Sequence, residues 1–269
     1  MSFSQNDLSE YAAFAGRLAD AARGESLTRF RKGATIFNKA GPWFDPVTDA
    51  DREAERALRR MIESVYPGHG LLGEEFGERE GEGAWRWVLD PVDGTRAFMC
   101  GTVSWTTLIA LEHDGAPVLG MIDQPFTDER WLSVGGKTVY THGDETRDVK
   151  TSGLKDIAKA RLSTTDPLPT GYFSDAEAAA FARVAKAARV ARYSLDAYAY
   201  GLLAMGEIDL VIESALQRYD YAALLPVIEG AGGVVTNWQG ERPGSDDKGE
   251  IIAAATPELH AAALALLAG

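Results

Sequence analysis

The residues best suited to chemistry stand in one short stretch, Asp90-Pro91-Val92-Asp93-Gly94-Thr95, which follows the apolar run Trp87-Val88-Leu89. The run reads as the end of a buried strand that stops abruptly at a carboxylate. On a continuing strand Asp90 and Asp93 would face opposite sides, because side chains alternate. Pro91 and Gly94 argue against continuation: proline fixes φ and lacks an N–H, and glycine permits a sharp reversal. In a tight turn the two carboxylates would converge, and the Val92 carbonyl would be free to turn inwards as a third oxygen. Oxygen ligands of this kind suit a hard cation, Mg²⁺ above all, which keeps waters and binds through substrate phosphate. Gly94-Thr95 leads into Arg96-Ala97-Phe98, read as a helix start whose free N–H groups favour an anion. One loop would then hold a cation and a phosphate side by side.

An acid pair means little by itself. With 40 Asp and Glu among 269 residues, chance supplies about six pairs at any fixed spacing. The setting gives this pair its weight, because other acids also stand where elements begin or end. Thr48 reads as an N-cap with Asp51 three residues on, a capping box with Asp in place of Glu. Capping is the simpler role for Asp51 when it is taken alone. A long amphipathic helix follows to the stop at Pro67-Gly68, and a short apolar run then ends at Glu74-Glu75. Glu213 closes the strand pattern 208–213, and Asp220 precedes a helical pattern over 221–231.

Around these acids the spacing predicts an amphipathic helix over 8–22, a second helical pattern through Phe30, and an irregular or hairpin segment over 37–46. The charged, Gly-rich stretch up to Gly83 reads as an exposed loop. Strands are expected over 103–110, 117–122 and 129–134, with turns at Asp114-Gly115 and Gly135-Gly136, a succession that implies antiparallel pairing. Beyond Thr151 strands and helices alternate: strands at 161–165, 208–213, 233–236 and 251–254, helices at 176–188, 197–205 and 221–231.

The five acidic segments, in order and local wording, resemble the inositol monophosphatase family of Mg²⁺-dependent, Li⁺-sensitive phosphatases. The first signature is similar to Asp90-Pro91-Val92-Asp93-Gly94-Thr95. The second is similar to Tyr219-Asp220-Tyr221-Ala222-Ala223 continued by Glu229-Gly230-Ala231-Gly232-Gly233. Gly73-Glu74-Glu75 and Thr48 to Asp51 match two further motifs, all in family order. The resemblance implies an α/β (α+β layered) fold, an αβαβα sandwich. Its N-terminal lobe, 1–145, would hold an antiparallel sheet and the metal site; its C-terminal α/β lobe, 146–269, would complete the metal and substrate sites.

The same resemblance implies roles. Glu74, Asp90 and the Val92 carbonyl would bind a first Mg²⁺, and Asp90, Asp93 and Asp220 a second. A third, weaker ion would use Glu74. Gly94 and Thr95 would offer backbone N–H groups to phosphate, and the Thr95 hydroxyl with Asp51 would orient and help deprotonate the attacking water. Asp51 would then act in catalysis as well as at the helix start. Metal binding lowers the pKa of water and stabilises the leaving alkoxide in an in-line displacement.

Wording outside the metal site resembles the bacterial histidinol-phosphatase branch, with Phe30-Arg31-Lys32-Gly33, Ile122-Asp123-Gln124-Pro125 and Asp196 to Ala204 among the matching segments. L-Histidinol phosphate carries an ammonium and an imidazole, so acids should meet it, and Asp196 and Glu213 are the candidates. Asp196 would otherwise cap a helix. Arg192 would contact phosphate or else be a surface charge. Inositol 1-phosphate and a 3′-phosphonucleotide are the alternative substrates within the family. A silent metal- or phosphate-binding protein is disfavoured by retention of every expected ligand, and a Ca²⁺-binding EF-hand by the missing alternation of acids.

Composition sets outer bounds. A net charge of −13 disfavours nucleic acid and anionic membranes as partners, but not a small phosphorylated substrate reached through metals. No stretch has the length and apolarity of a membrane span, and no signal peptide is read at the start, so a cytoplasmic enzyme is expected. The single cysteine, Cys100, excludes an intramolecular disulfide and is read as a packed thiol. Trp105, Trp131 and Trp238 are assigned to core or interface. By resemblance the enzyme is a homodimer.

Overall fold

The computed structural model describes residues 5–39, 46–169, 171–244 and 249–269. The described chain runs α1 (Gln5–Leu27), β1 (Ile36–Asn38), β2 (Pro46–Thr48), α2 (Asp49–Val65), β3 (Gly70–Gly73), β4 (Gly77–Arg79) and β5 (Trp85–Asp93). Next come α3 (Thr95–Cys100), β6 (Thr106–His113), β7 (Ala116–Gln124), β8 (Glu129–Val134), β9 (Lys137–His142) and β10 (Glu145–Asp148). The remainder is β11 (Arg161–Thr164), α4 (Asp175–Ala187), β12 (Val190–Tyr193), α5 (Tyr198–Ala204) and β13 (Leu210–Glu213). It closes with α6 (Arg218–Tyr221), α7 (Leu224–Gly230), β14 (Val234–Asn237), β15 (Ile251–Ala254) and α8 (Pro257–Ala268).

Among the described residues, apart from the two-stranded β1–β2 sheet, two larger sheets alternate with three helical layers. The larger sheet has the order β10-β9-β8-β7-β6-β5-β3-β4 and the smaller β12-β11-β13-β15-β14. Apolar faces of α1 and α2 (Phe14, Leu18, Leu58, Ile62) bury against Trp87, Leu89 and Ile109 on one side of the large sheet. α5 and α7 fill the space between the sheets, where Trp131, Tyr200 and Leu225 are buried, and α4 and α8 cover the far side of the small sheet. Each fully buried large side chain contributes about 1.5–3 kcal/mol, so these layers are held mainly by the hydrophobic effect.

Tight turns set the register of the large sheet. Asp114-Gly115 and Gly135-Gly136 all have positive φ, as a two-residue turn matching strand twist requires. The β6–β7 and β8–β9 hairpins follow from them. The sheet is antiparallel except where β3 runs parallel to β5.

Several elements differ from the sequence reading. The two helical patterns before Phe30 are one continuous α1, and the pattern over 221–231 is broken by a turn at Ala222-Ala223 into α6 and α7. Pro226 falls in the first turn of α7, where its missing N–H costs no bond. Part of the Gly-rich loop is strand β4, paired with β3. The expected hairpin at 37–46 exists as β1 and β2, with 40–45 outside the described residues. Cys100 is exposed rather than packed, because it falls on the solvent side at the end of α3. Trp105 and Trp131 are fully buried, and Trp238 packs on the outer core with Phe173.

Candidate active site

β5 does not stop at Asp90 but continues through Pro91 to Asp93. The convergence expected of a turn comes instead from a bulge. Asp90 pairs with Leu108 and Asp93 with Thr106, so β5 has one residue more than β6 between these pairs. The extra residue breaks the alternation that would have put the two aspartates on opposite faces. Pro91 suits a bulge, having no N–H to leave unpaired; its carbonyl accepts the Thr107 hydroxyl at 2.8 Å.

The third acid comes from α6, which packs against β5. Asp220 lies in the first turn of α6, where its Oδ2 accepts the Gln217 backbone N–H at 2.6 Å. Ligand oxygens of Asp90, Asp93 and Asp220 all fall within 4.8 Å of one another, a cluster that could hold a metal ion. Glu74 is outside that trio but lines the same cavity, and pairs with Lys39 Nζ at 2.7 Å. Its position is fixed from α2: buried Glu55 accepts the Glu75 N–H at 2.7 Å and the Phe76 N–H at 3.2 Å. The Glu55 carboxylate fills the space a side chain at Gly73 would need, its Oε1 lying 2.1 Å from an ideal Cβ.

Confinement of so many carboxylates shifts their titration. Burial, then the charges of Glu74, Asp93 and Asp220, pushes Asp90 well up; burial, then Asp196 and Asp220, does the same to Asp93. Burial and Glu74 push Asp220 up to about 8. Acids this reluctant to ionise together call for a cation, and an all-oxygen donor set suits a hard one.

Asp51 lies behind this cluster, fully buried. It does complete the capping box, with Oδ2 accepting the Thr48 backbone N–H at 2.9 Å, and its Oδ1 accepts the Thr95 hydroxyl at 3.1 Å. Burial is the main force raising Asp51 to about 7, against the opposing hydrogen bond from Thr48. Thr95 also approaches the Val92 carbonyl at 3.4 Å, and both line the cavity.

The cavity, about 440 Å³, opens from the three aspartates towards Asp196 and Glu213. Glu213 ends β13 and accepts the Thr165 N–H at 2.8 Å and its hydroxyl at 2.9 Å; burial pushes it up to about 8. Asp196 packs over Gly94, whose φ is +78° and whose ideal Cβ would lie 2.9 Å from the Asp196 Cγ. Burial raises Asp196 to about 6, against the bond from the Ser104 hydroxyl at 2.9 Å.

A family model described as the inositol monophosphatase family matches residues 7–268. The chain belongs to the inositol monophosphatase family. It is 43% identical to the chloroplastic bifunctional phosphatase IMPL2 of Arabidopsis thaliana, over 89% of this chain and 67% of that one. The histidinol-phosphatase of Mycobacterium tuberculosis is 34% identical, over 83% of this chain and 86% of that one. Among solved structures, an inositol monophosphatase from Zymomonas mobilis superposes with a TM-score of 0.86 and 38% identity, covering 100% of both chains. These relatives are phosphatases, and no helix among the described residues is long and apolar enough to cross a membrane.

For this family member, the structure brings together Glu74, Asp90, Val92, Asp93, Gly94, Thr95, Asp196, Glu213 and Asp220 around one cavity. Arg192 is not among the lining residues: it projects exposed from edge strand β12. Asp196 is not a side-chain helix cap, since Ala197 is the N-cap of α5 and the Asp196 carboxylate goes to Ser104. Sequence reasoning missed Lys39, Arg96, Thr165 and Tyr172, which also line the cavity. Arg96 lies 4.8 Å from the Tyr172 ring centroid, although 76 positions separate them in the chain, and only tertiary packing reveals that pair.

Proposed function

We propose that the protein is a Mg²⁺-dependent phosphomonoesterase that hydrolyses L-histidinol phosphate to L-histidinol and phosphate, as a step of histidine biosynthesis. The observation that carries the reading is the convergence of Asp90, Asp93 and Asp220 beside a buried Thr95–Asp51 hydrogen bond. In this reading Glu74, Asp90 and the Val92 carbonyl hold one Mg²⁺, Asp90, Asp93 and Asp220 a second, and Glu74 a weaker third. Bound Mg²⁺ would neutralise phosphate charge and lower the pKa of water. Backbone N–H groups of Gly94 and Thr95 orient the phosphate. The Thr95 hydroxyl, backed by Asp51, positions the attacking water in line with the ester bond and passes its proton inwards. An acceptor raised to about 7 is matched to that task near neutral pH.

Asp196 and Glu213 favour a cationic alcohol portion, and likeness to the Arabidopsis and Mycobacterium phosphatases supports the same choice. Inositol 1-phosphate is the second reading, favoured by whole-chain likeness to the Zymomonas enzyme and by Glu213, which would serve hydroxyls equally. The reading includes two lobes meeting at the site, 1–145 and 146–269, with strand β10 pairing onto the large sheet where they join. A homodimer and a cytoplasmic location complete it, to be checked by sedimentation and cell fractionation.

The test is phosphate release with Mg²⁺ from L-histidinol phosphate, inositol 1-phosphate and 3′-phosphoadenosine 5′-phosphate, each repeated with EDTA. A kcat/KM at least about tenfold higher for histidinol phosphate, abolished by EDTA, is expected; tenfold corresponds to 1.4 kcal/mol of transition-state discrimination. Equal rates on all three would overturn the substrate assignment, and release insensitive to EDTA would overturn the metal mechanism.

A further inference from the structure

One buried carboxylate outside the cavity ties together the two elements that supply the aspartate cluster. Glu112, on β6, is fully buried. Its Oε2 accepts Arg86 Nε at 2.9 Å and pairs with Nη2 at 2.7 Å. Arg86 faces Glu112 directly in the β5–β6 register, on the strand that ends with Asp90 and Asp93. The other oxygen, Oε1, accepts Arg218 Nε at 2.7 Å and is also reached by Arg218 Nη2. Arg218 opens α6, two residues before Asp220, and its Nη2 donates to the Gly115 carbonyl at 2.9 Å in the β6–β7 turn.

Stability alone is a poor explanation for this arrangement. Desolvating an arginine and a glutamate offsets much of their attraction, and apolar replacements of such pairs are often equally stable. The Arg218 Nη1 is buried and has no hydrogen-bond partner among the described residues, an added cost that a purely stabilising contact would avoid. What the pair does supply is position. α6 has only four residues; the Ala222 N–H to Arg218 carbonyl bond at 3.0 Å and the Asp220 cap close its turn, but they do not fix where that turn sits against β5. Clamped to Glu112, it presents Asp220 at a set distance from Asp90 and Asp93.

We infer that Glu112 is a positioning residue that fixes Asp220 against Asp90 and Asp93 through Arg218 and Arg86, and so sets cation affinity at the three-aspartate position. The inference rests on the metal reading above and extends it to groups that touch neither cation nor substrate. It predicts a selective defect. Loosening α6 should weaken the ion held by Asp90, Asp93 and Asp220 and spare the one held by Glu74, Asp90 and the Val92 carbonyl.

The experiment is titration of the metal-free protein with Mn²⁺, followed by calorimetry and by electron paramagnetic resonance of free Mn²⁺. Wild type, E112Q and R218M are compared, with melting of each metal-free protein recorded alongside. E112Q keeps the shape of the side chain, and R218M provides a folded comparison if the glutamine variant does not fold. The expected result is loss of about 10–100-fold in one class of Mn²⁺ sites, as for other groups that orient ligands, with the second class unchanged. Unaltered affinities in a folded variant would overturn the inference, and so would a uniform loss at all sites that tracks a lowered Tm. Absence of Mn²⁺ binding by the wild type would instead sink the metal reading, and the inference with it.

Discussion

Asp51 divides its two carboxylate oxygens between a helix and a hydroxyl: Oδ2 accepts the Thr48 N–H at 2.9 Å and Oδ1 the Thr95 hydroxyl at 3.1 Å. The cap therefore orients the pair, because an oxygen committed to the start of α2 leaves the other pointing towards the cavity. Asp220 repeats the device at α6, with Oδ2 on the Gln217 N–H. Helix starts are used here as mounts for acids.

The two functions of Asp51 should separate by mutation. T95A removes the hydroxyl and D51N the acceptor, and each is expected to lower kcat by about 10²–10⁴-fold with smaller changes in KM. T48A should instead cost about 1 kcal/mol of stability through the lost cap, with a rate change well below that of D51N. Steady-state kinetics beside denaturant melts would distinguish them. A D51N enzyme with normal kcat would remove Asp51 from the reaction.

Metal and protons should compete at the aspartate cluster, and buried Glu213 and Asp51 should titrate beside it. Burial raises the folded-state values of Asp220 and Glu213 to about 8 and of Asp51 to about 7. An acid raised in this way binds more protons folded than unfolded. Its contribution to stability is full below the unfolded value near 4, and is lost as pH rises through the folded value. The metal-free protein should thus melt at a lower temperature at about pH 8 than at about pH 5.5, and Mg²⁺ should restore most of the difference at the higher pH. Melts in EDTA that stay level or rise across this window would contradict the assignment.

Gly94 should tolerate no side chain. A Cβ there would meet the Asp196 Cγ at 2.9 Å, and the backbone has φ +78°. G94A is expected to cost about 1–3 kcal/mol in a conformation that side chains disfavour, and to lower kcat/KM by displacing Asp196 or the adjoining Thr95. Unchanged kinetics and stability in G94A would show that this corner of the cavity can yield.

Charge on Asp196 and Glu213 should govern substrate choice. If Asp196 meets the alcohol portion of histidinol phosphate as proposed, D196N should raise KM for that substrate about tenfold or more while leaving inositol 1-phosphate within a few-fold. Charge-assisted hydrogen bonds of about 1.5–3 kcal/mol set that scale. E213Q should weaken both substrates. If D196N weakens both equally, Asp196 acts through Gly94 and Ser104 rather than on the substrate.

Much of this was legible in the residues themselves. Thr48 and Asp51 announced a capped helix, Asp114-Gly115 and Gly135-Gly136 the hairpins, and Asp90-Pro91-Val92-Asp93-Gly94-Thr95 a carboxylate pair at the end of a strand. Each of these depends on neighbours a few positions apart, where backbone preference and side-chain reach decide the outcome. Tertiary structure decided the rest. Whether Asp90 and Asp93 converge by a turn or by a bulge depends on their pairing with β6, and the sequence of β5 does not contain that register. The exposure of Arg192 depends on β12 lying at a sheet edge. Glu112 between Arg86 and Arg218, or Tyr172 under Arg96, are contacts between residues far apart in the chain. Local chemistry thus named the candidate groups, while the distances between them were set by long-range packing, which no local spacing encodes.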